Sequence, residues 1–181
     1  MSNNVEPAVY VGTYRKYNNG SLYGAWMTLS DYSDYDEFEG ACRELHKDES
    51  DPEFMCQDIE YIPKSKYCES GIDWLRFYWD DLADLDSDER AKVYEYWDEV
   101  DESADVRSIL DAYFSEYMED DDFGEYLAEM NCLFRPCAWT DDKQAYERQL
   151  ELLERYFDFE KYGREVKQEM HVTSNYIFYA C

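Results

Sequence analysis

Basic residues are scarce in this chain: 17 Lys and Arg stand against 44 Asp and Glu, a formal net charge of −27 over 181 residues. Affinity for phosphates comes from Lys and Arg clusters that displace counterions, so direct binding of DNA or RNA is disfavoured, as is an anionic membrane surface. Histidine is scarcer still. His46 and His171 stand alone, neither inside a motif, and a zinc site needs a cluster of ligands. The six cysteines (Cys42, Cys56, Cys68, Cys132, Cys137, Cys181) include no C-x-x-C pair, and Cys132-x4-Cys137 by itself defines no metal site, so free thiols are expected. Gly12, Gly20 and Gly24 build no phosphate loop, because no G-x-x-x-x-G-K occurs. Glu119 to Met130 fails the calcium-loop pattern, since Phe123 and Met130 stand where oxygen ligands belong. No apolar run approaches a membrane span, and Met1 to Pro7 is polar where a signal peptide would be basic and then apolar. The expectation is a cytoplasmic protein without cofactor or metal.

What the chain does have is apolar material: 45% hydrophobic and 18% aromatic residues, with 19 Tyr, 9 Phe and 5 Trp. That is enough to fold despite the charge. Folding crowds like charges at a cost in self-repulsion, so a field this strong points to a basic partner. Carboxylate pairs are so numerous that none stands out as a catalytic dyad, and neither histidine has a nucleophile motif beside it. The chain therefore reads as a non-enzyme.

The patterning predicts an α+β protein. Ala8 to Gly12 and Tyr23 to Leu29 alternate as strands around Asn18-Asn19-Gly20. Asp34 with Glu37 makes a capping box for a helix carrying Phe38, Ala41, Cys42 and Leu45, and Phe54 to Ile59 forms a third strand. Helical rows follow at Trp74, Leu75, Tyr78, Trp79 and Leu82; at Val93, Tyr94, Trp97 and Val100, capped by Asp86 and Glu89; at Val106, Ile109, Leu110, Tyr113 and Phe114; and at Phe123 to Met130. Further rows run Tyr146, Leu150, Leu153, Phe157 and then Phe159, Tyr162, Val166, before alternation in His171 to Cys181 marks a terminal hairpin around Ser174-Asn175. The expected organisation is an elongated array of three small domains: 1–63, an antiparallel sheet plus helix; 64–130, acidic and helical; and 131–181, helices plus a β-hairpin.

The charge is concentrated. Residues 80–129 hold 20 acids against Arg90, Lys92 and Arg107, a balance of −17. The acids are Asp80, Asp81, Asp84, Asp86, Asp88, Glu89, Glu95, Asp98, Glu99, Asp101, Glu102, Asp105, Asp111, Glu116, Glu119, Asp120, Asp121, Asp122, Glu125 and Glu129. A solvated helix face normally interleaves both signs in i,i+4 pairs. Here single carboxylates read as ordinary surface, but their collective excess reads as a partner-binding surface.

Ala8-Val9-Tyr10-Val11-Gly12-Thr13-Tyr14, Lys16-Tyr17-Asn18, Gly20-Ser21 and Gly24-Ala25-Trp26 resemble the opening of the ArdA antirestriction proteins. Ala41 to Glu49, Asp51-Pro52-Glu53-Phe54-Met55 and Gln57-Asp58 continue the likeness, and Tyr156 to Glu165 is similar to the family's Y-x-D-Y-x-x-Y-x-R-D segment. Between Lys64 and Tyr146 the likeness rests on acidity and helical pattern, and residues 131–148 depart from the family as an insertion. The resemblance implies a mobile-element protein of a bacterial host, a homodimer whose carboxylates imitate the phosphates of bent duplex DNA. It would occupy the DNA cleft of type I restriction-modification enzymes, formed by their specificity and modification subunits, and block cleavage and methylation. Duplex DNA carries roughly one charge per 1.7 Å of axis, so the net charge corresponds to about 46 Å, or roughly 13 base pairs. The family's self-association segment maps onto Leu152, Leu153, Tyr156, Phe157 and Tyr162, which read equally as internal core. The competing reading is an acidic chaperone-like binder of basic DNA-associated proteins, which would accept many basic partners.

Overall fold

Val9 and Val11 anchor the first strand, β1 (Ala8–Thr13): both are fully buried, while Tyr10 between them points to the opposite face. In the computed structural model of the protein, which describes residues 6–134 and 143–180, β1 lies between β2 (Ala25–Thr28) and β3 (Phe54–Glu60), antiparallel to both. The link from β1 to β2 is more than the turn expected there. The Thr13 hydroxyl accepts from the Lys16 N–H at 3.3 Å and caps a short helix, α1 (Tyr14–Asn18). Gly20 follows at φ +79, a conformation that glycine adopts without strain.

Asp34 starts α2 (Tyr35–Leu45) by accepting from the Glu37 N–H at 2.8 Å. The capping box is only half made, because Glu37 instead accepts from the N–H and hydroxyl of Ser33 at 2.8 and 2.7 Å. The helix buries Tyr35, Phe38 and Cys42.

The row Trp74 to Leu82 is helical but not regular: a 3₁₀ turn spans Asp73–Leu75 and a π turn spans Tyr78–Leu82. Two consecutive large rings must both be accommodated there, and a widened coil does this. Tyr78 is buried, while Trp79 packs on Phe38 at 5.4 Å and donates its indole N–H to the Tyr32 carbonyl at 3.0 Å. Asp86 and Glu89 then form a complete capping box on α3 (Ser87–Glu99), which buries Val93, Tyr96 and Trp97.

The next row ends earlier than its periodicity suggests. After α4 (Val106–Ala112), Tyr113 and Phe114 belong to a strand, β4 (Tyr113–Glu116). Aromatic residues suit strands, and long-range pairing of Tyr113 with Phe178 overrides the local helical spacing.

Contacts group the chain into two compact units, Met1–Asp111 and Ala112–Cys181. The second holds α5 (Asp120–Met130), α6 (Lys143–Tyr156), α7 (Phe159–Lys167), β5 (Met170–Val172) and β6 (Tyr176–Tyr179), with an antiparallel sheet in the order β4-β6-β5. Its core is Phe123, Leu127 and Ile177, with Phe114, Tyr162, Val166 and Met170 packed around them. The fold is thus mixed α+β, with two small antiparallel sheets. Among the described residues no helix is long and apolar enough to cross a membrane.

Candidate functional site: carboxylates on the helical segments

The apolar rows that bury one side of each helix leave the acids on the other. Of the 20 acids in 80–129, 17 are exposed, Glu89, Glu95 and Asp120 are half-buried, and none is buried. Thirteen lie in the first unit, from Asp80 to Asp111, and seven in the second, from Glu116 to Glu129.

Many occupy helix N-termini, where unpaired N–H groups and the helix dipole favour negative charge. Asp86 accepts from the Asp88 and Glu89 N–H groups at 2.8 and 2.9 Å, and the Glu89 bond holds its pKa below the ordinary carboxylate value. Asp105 accepts from the Ser108 N–H at 3.0 Å, and its pKa is lowered by Ser108 likewise. Asp101, in the loop between α3 and α4, accepts from the hydroxyl and N–H of Ser103 at 2.7 and 2.8 Å, with the same effect. Glu119 stands at the N-cap position of α5 without a side-chain cap bond, and Asp120, Asp121 and Asp122 fill the helix's first turn. Asp86, Asp101 and Asp105 are thus held by neighbouring N–H and hydroxyl donors and resist protonation.

The cations that approach them are held along the flanks. Lys92 pairs with Asp88 one turn away, and Arg107 lies 3.9 Å from Asp111. Asp120 is bound by Lys167 at 3.0 Å and Arg164 at 3.2 Å, and the Lys167 bond chiefly depresses its pKa. Lys66 lies 4.1 Å above the Trp97 ring and donates to the Glu102 carbonyl, while Asp98 accepts the Ser65 N–H at 2.9 Å. The surface is suited to presenting fixed negative charge. Among the described residues no three His, Cys, Asp or Glu converge on a metal position.

His46 is a fully buried packing residue. Its Nε2 lies 3.3 Å from the Val11 carbonyl and its Nδ1 lies 3.0 Å from the Lys16 ammonium, so the ring donates from Nε2 and accepts at Nδ1. Burial, with Lys16 adding to it, pushes its pKa below 6.5. The sequence reading missed the buried network around it. Glu49 accepts from the Thr13 hydroxyl at 2.7 Å and pairs with Lys16 at 3.0 Å, and Lys16 also binds Asp48 at 2.8 Å. The T-x-x-K spacing after a strand was its one local signal. His171 is half-buried in β5, opposite Phe178. Cys42 and Cys56 are buried thiols, Cys68 and Cys132 are exposed ones, and Cys137 and Cys181 lie outside the described residues, as do residues 135–142 of the 131–148 insertion.

The five self-association candidates separate into two groups. Leu152, Leu153 and Tyr156 project from α6 with exposures of 52%, 61% and 80%. Phe157 and Tyr162 are half-buried and face each other at 5.4 Å between ring centres, with Phe159 5.0 Å from Phe157. The outward trio can meet a partner; the inward pair packs internally.

Comparison with known proteins gives one family. The sequence model of a family described as antirestriction protein (ArdA) matches residues 9–178. No curated protein and no solved structure matches the chain.

Proposed function

The chain belongs to the ArdA family of antirestriction proteins, and from that premise we propose that it inhibits type I restriction-modification enzymes by imitating duplex DNA. The carboxylates of residues 80–129 take the place of phosphates in the basic cleft of the specificity and modification subunits. Target DNA is excluded, so cleavage and methylation both stop, and no bond is made or broken in the inhibitor. One observation carries the reading: all 20 acids of this segment stay outside the core while its apolar rows face inward. A large field of one sign speeds association and makes it sensitive to salt. We further propose that two copies associate through Leu152, Leu153 and Tyr156, whose exposed apolar surface is otherwise costly, and that the protein acts in the bacterial cytoplasm.

The test is displacement of a fluorescent target duplex from a purified type I methyltransferase core, followed by anisotropy at several salt concentrations. Displacement near stoichiometry that weakens as salt rises supports cleft competition. A duplex that stays bound at saturating inhibitor sinks it, and equal binding to unrelated basic proteins would favour the acidic-chaperone alternative.

A further inference from the structure

The solvent face of the first sheet carries a groove of about 490 Å³, separate from the acidic helical segments. Strand register sets Trp26 of β2, Tyr10 of β1 and Asp58 of β3 in one row across the sheet. The register of β1 with β3 shifts between Tyr10 and Val11, whose partners are Asp58 and Cys56, so Gln57 is the extra residue of a bulge. Bulges re-aim side chains, and here consecutive Gln57 and Asp58 line the same groove. The Tyr10 and Trp26 rings meet edge to face at 5.6 Å, and the Tyr10 hydroxyl donates to the Leu22 carbonyl at 3.1 Å, fixing the loop that follows Tyr17. Tyr17 and Glu69 complete the walls.

Three aromatic rings and two carboxylates therefore surround a space whose lining includes no cation among the described residues. Trp26 and Tyr17 are 44% and 50% exposed. Asp58 accepts the Ile59 N–H at 2.9 Å through one oxygen, so its other oxygen is not used by that bond. The amide nitrogen of Gln57 is buried with no hydrogen-bond partner, lying over Gly12 so closely that a Cβ there would come within 2.4 Å of it. A buried donor without an acceptor is costly.

We propose that this groove binds an arginine side chain carried on an extended segment of a partner protein. The guanidinium stacks on the exposed rings and pairs with Asp58 and Glu69, and the Gln57 amide donates to a main-chain carbonyl of the same segment. A planar, delocalised cation matches rings beside carboxylates better than a compact ammonium does. The carbonyl requirement selects a peptide over a metal ion or a free amine. The site recognises one anchored side chain, unlike the distributed field of the helical segments, and does not depend on the DNA-mimic reading.

The probe is acetyl-Gly-Arg-Gly-amide, titrated into the full chain and followed by ¹H–¹⁵N NMR, with the Trp26 indole signal assigned through Trp26→Phe. The citrulline peptide, of the same shape without charge, is the control. Saturable shifts should centre on the Trp26 indole and the Gln57 side-chain amide. Citrulline, or the Asp58→Asn/Glu69→Gln double variant, should weaken binding about tenfold, the scale of a lost charge-assisted hydrogen bond. Tyr17→Ala, at an exposed position of α1, gives a second variant expected to weaken binding should the double variant not fold. Shifts spread over α3 and α5 with Trp26 no more affected than the other Trp residues, or unchanged binding by these variants, would overturn the proposal. Either result leaves duplex displacement to be decided separately, because that assay reads other residues.

Discussion

Replacing Gly124 or Gly163 with alanine should loosen the second unit, and the size of the effect can be worked from the helix contact. A Cβ on Gly124 would lie 2.0 Å from the Phe159 carbonyl oxygen, and one on Gly163 would lie 1.9 Å from the Asp120 carbonyl oxygen. Ordinary contact begins at 3.4 Å, so α5 and α7 would have to part by more than an ångström, and the obstacle is backbone on both sides. Overpacking of this kind costs about 3 kcal/mol at the upper end of its usual range. Alanine returns roughly 1 kcal/mol in helix propensity, which leaves a net loss of about 2 kcal/mol. For a domain of this size that is a fall in Tm of roughly 8–16 °C. Gly40 is the control. It lies inside α2, is exposed, and has nothing within 4 Å of an added Cβ, so Gly40→Ala should stabilise by about 0.5–1 kcal/mol. Thermal and urea unfolding by circular dichroism read all three. If Gly124→Ala or Gly163→Ala is as stable as the parent, or gains as Gly40→Ala does, the close-packed helix pair is wrong. Because α5 carries Asp121, Asp122, Glu125 and Glu129, the destabilised variants should also inhibit less near their unfolding temperatures.

Charge neutralisation should act collectively: an Asp→Asn change at one exposed position such as Asp81 weakens duplex displacement about twofold, the usual weight of an exposed ion pair, so six such changes compound to roughly 60-fold. A single change that abolished displacement in a folded variant would replace the distributed surface with a specific site. The His46 prediction is a pH slope. Its folded pKa is depressed, so the folded state binds fewer protons than the unfolded chain. Stability then falls as pH drops through about 6.5 towards the folded pKa and is flat above. The urea midpoint of the parent minus that of His46→Gln should shrink between pH 7.5 and 5.5; a difference that widens on acidification would contradict it. For the proposed self-association, the parent is expected to sediment as a dimer and Leu153→Asp with Tyr156→Asp as a monomer, whereas Phe157→Ala should mainly lower stability; a parent that sediments as a monomer would refute the proposed interface.

Much of the architecture was legible because local signals agreed with tertiary need. The alternation in Ala8 to Gly12 and the complete capping box at Asp86 and Glu89 were realised, and the rows Val93 to Val100 and Phe123 to Met130 put Val93, Trp97, Phe123 and Leu127 in the core, although Tyr94 and Val100 are half-buried and Met130 is exposed. What escaped was set by distant partners. Tyr113 and Phe114 continue a helical row in sequence, yet β6 claims them for a sheet. The sequence sets Phe123–Met130 beside the acidic helices before it, but its packing partner is α7, chosen by the close approach of two glycines 39 positions apart. The Thr13–Glu49–Lys16–His46 network spans 36 residues between Thr13 and Glu49, and spacing alone cannot show such a meeting. Acidity was legible as a count; its display outside the core needed the fold.

That display also changes how the cost of the charge is understood. Judged from sequence, like charges without i,i+4 partners work against their own helices. In the structure a good part of the excess sits where a helix favours it: Asp86, Asp88 and Glu89 at the start of α3, Asp105 before α4, and Glu119 to Asp122 at the start of α5. Each such terminus offers unpaired N–H groups and a partial positive charge of about +0.5, so these carboxylates stabilise the element that carries them. The same hydrogen bonds lower the pKa of Asp86 and Asp105. Asp86 and Asp105, which help the helices they precede, thus stay charged to lower pH than an ordinary carboxylate. Helix starts facing solvent let a short chain hold a strong negative field and stay folded, since part of the local cost is offset by the backbone itself. The repulsion left over is long-range, and the basic cleft of the proposed partner would relieve it.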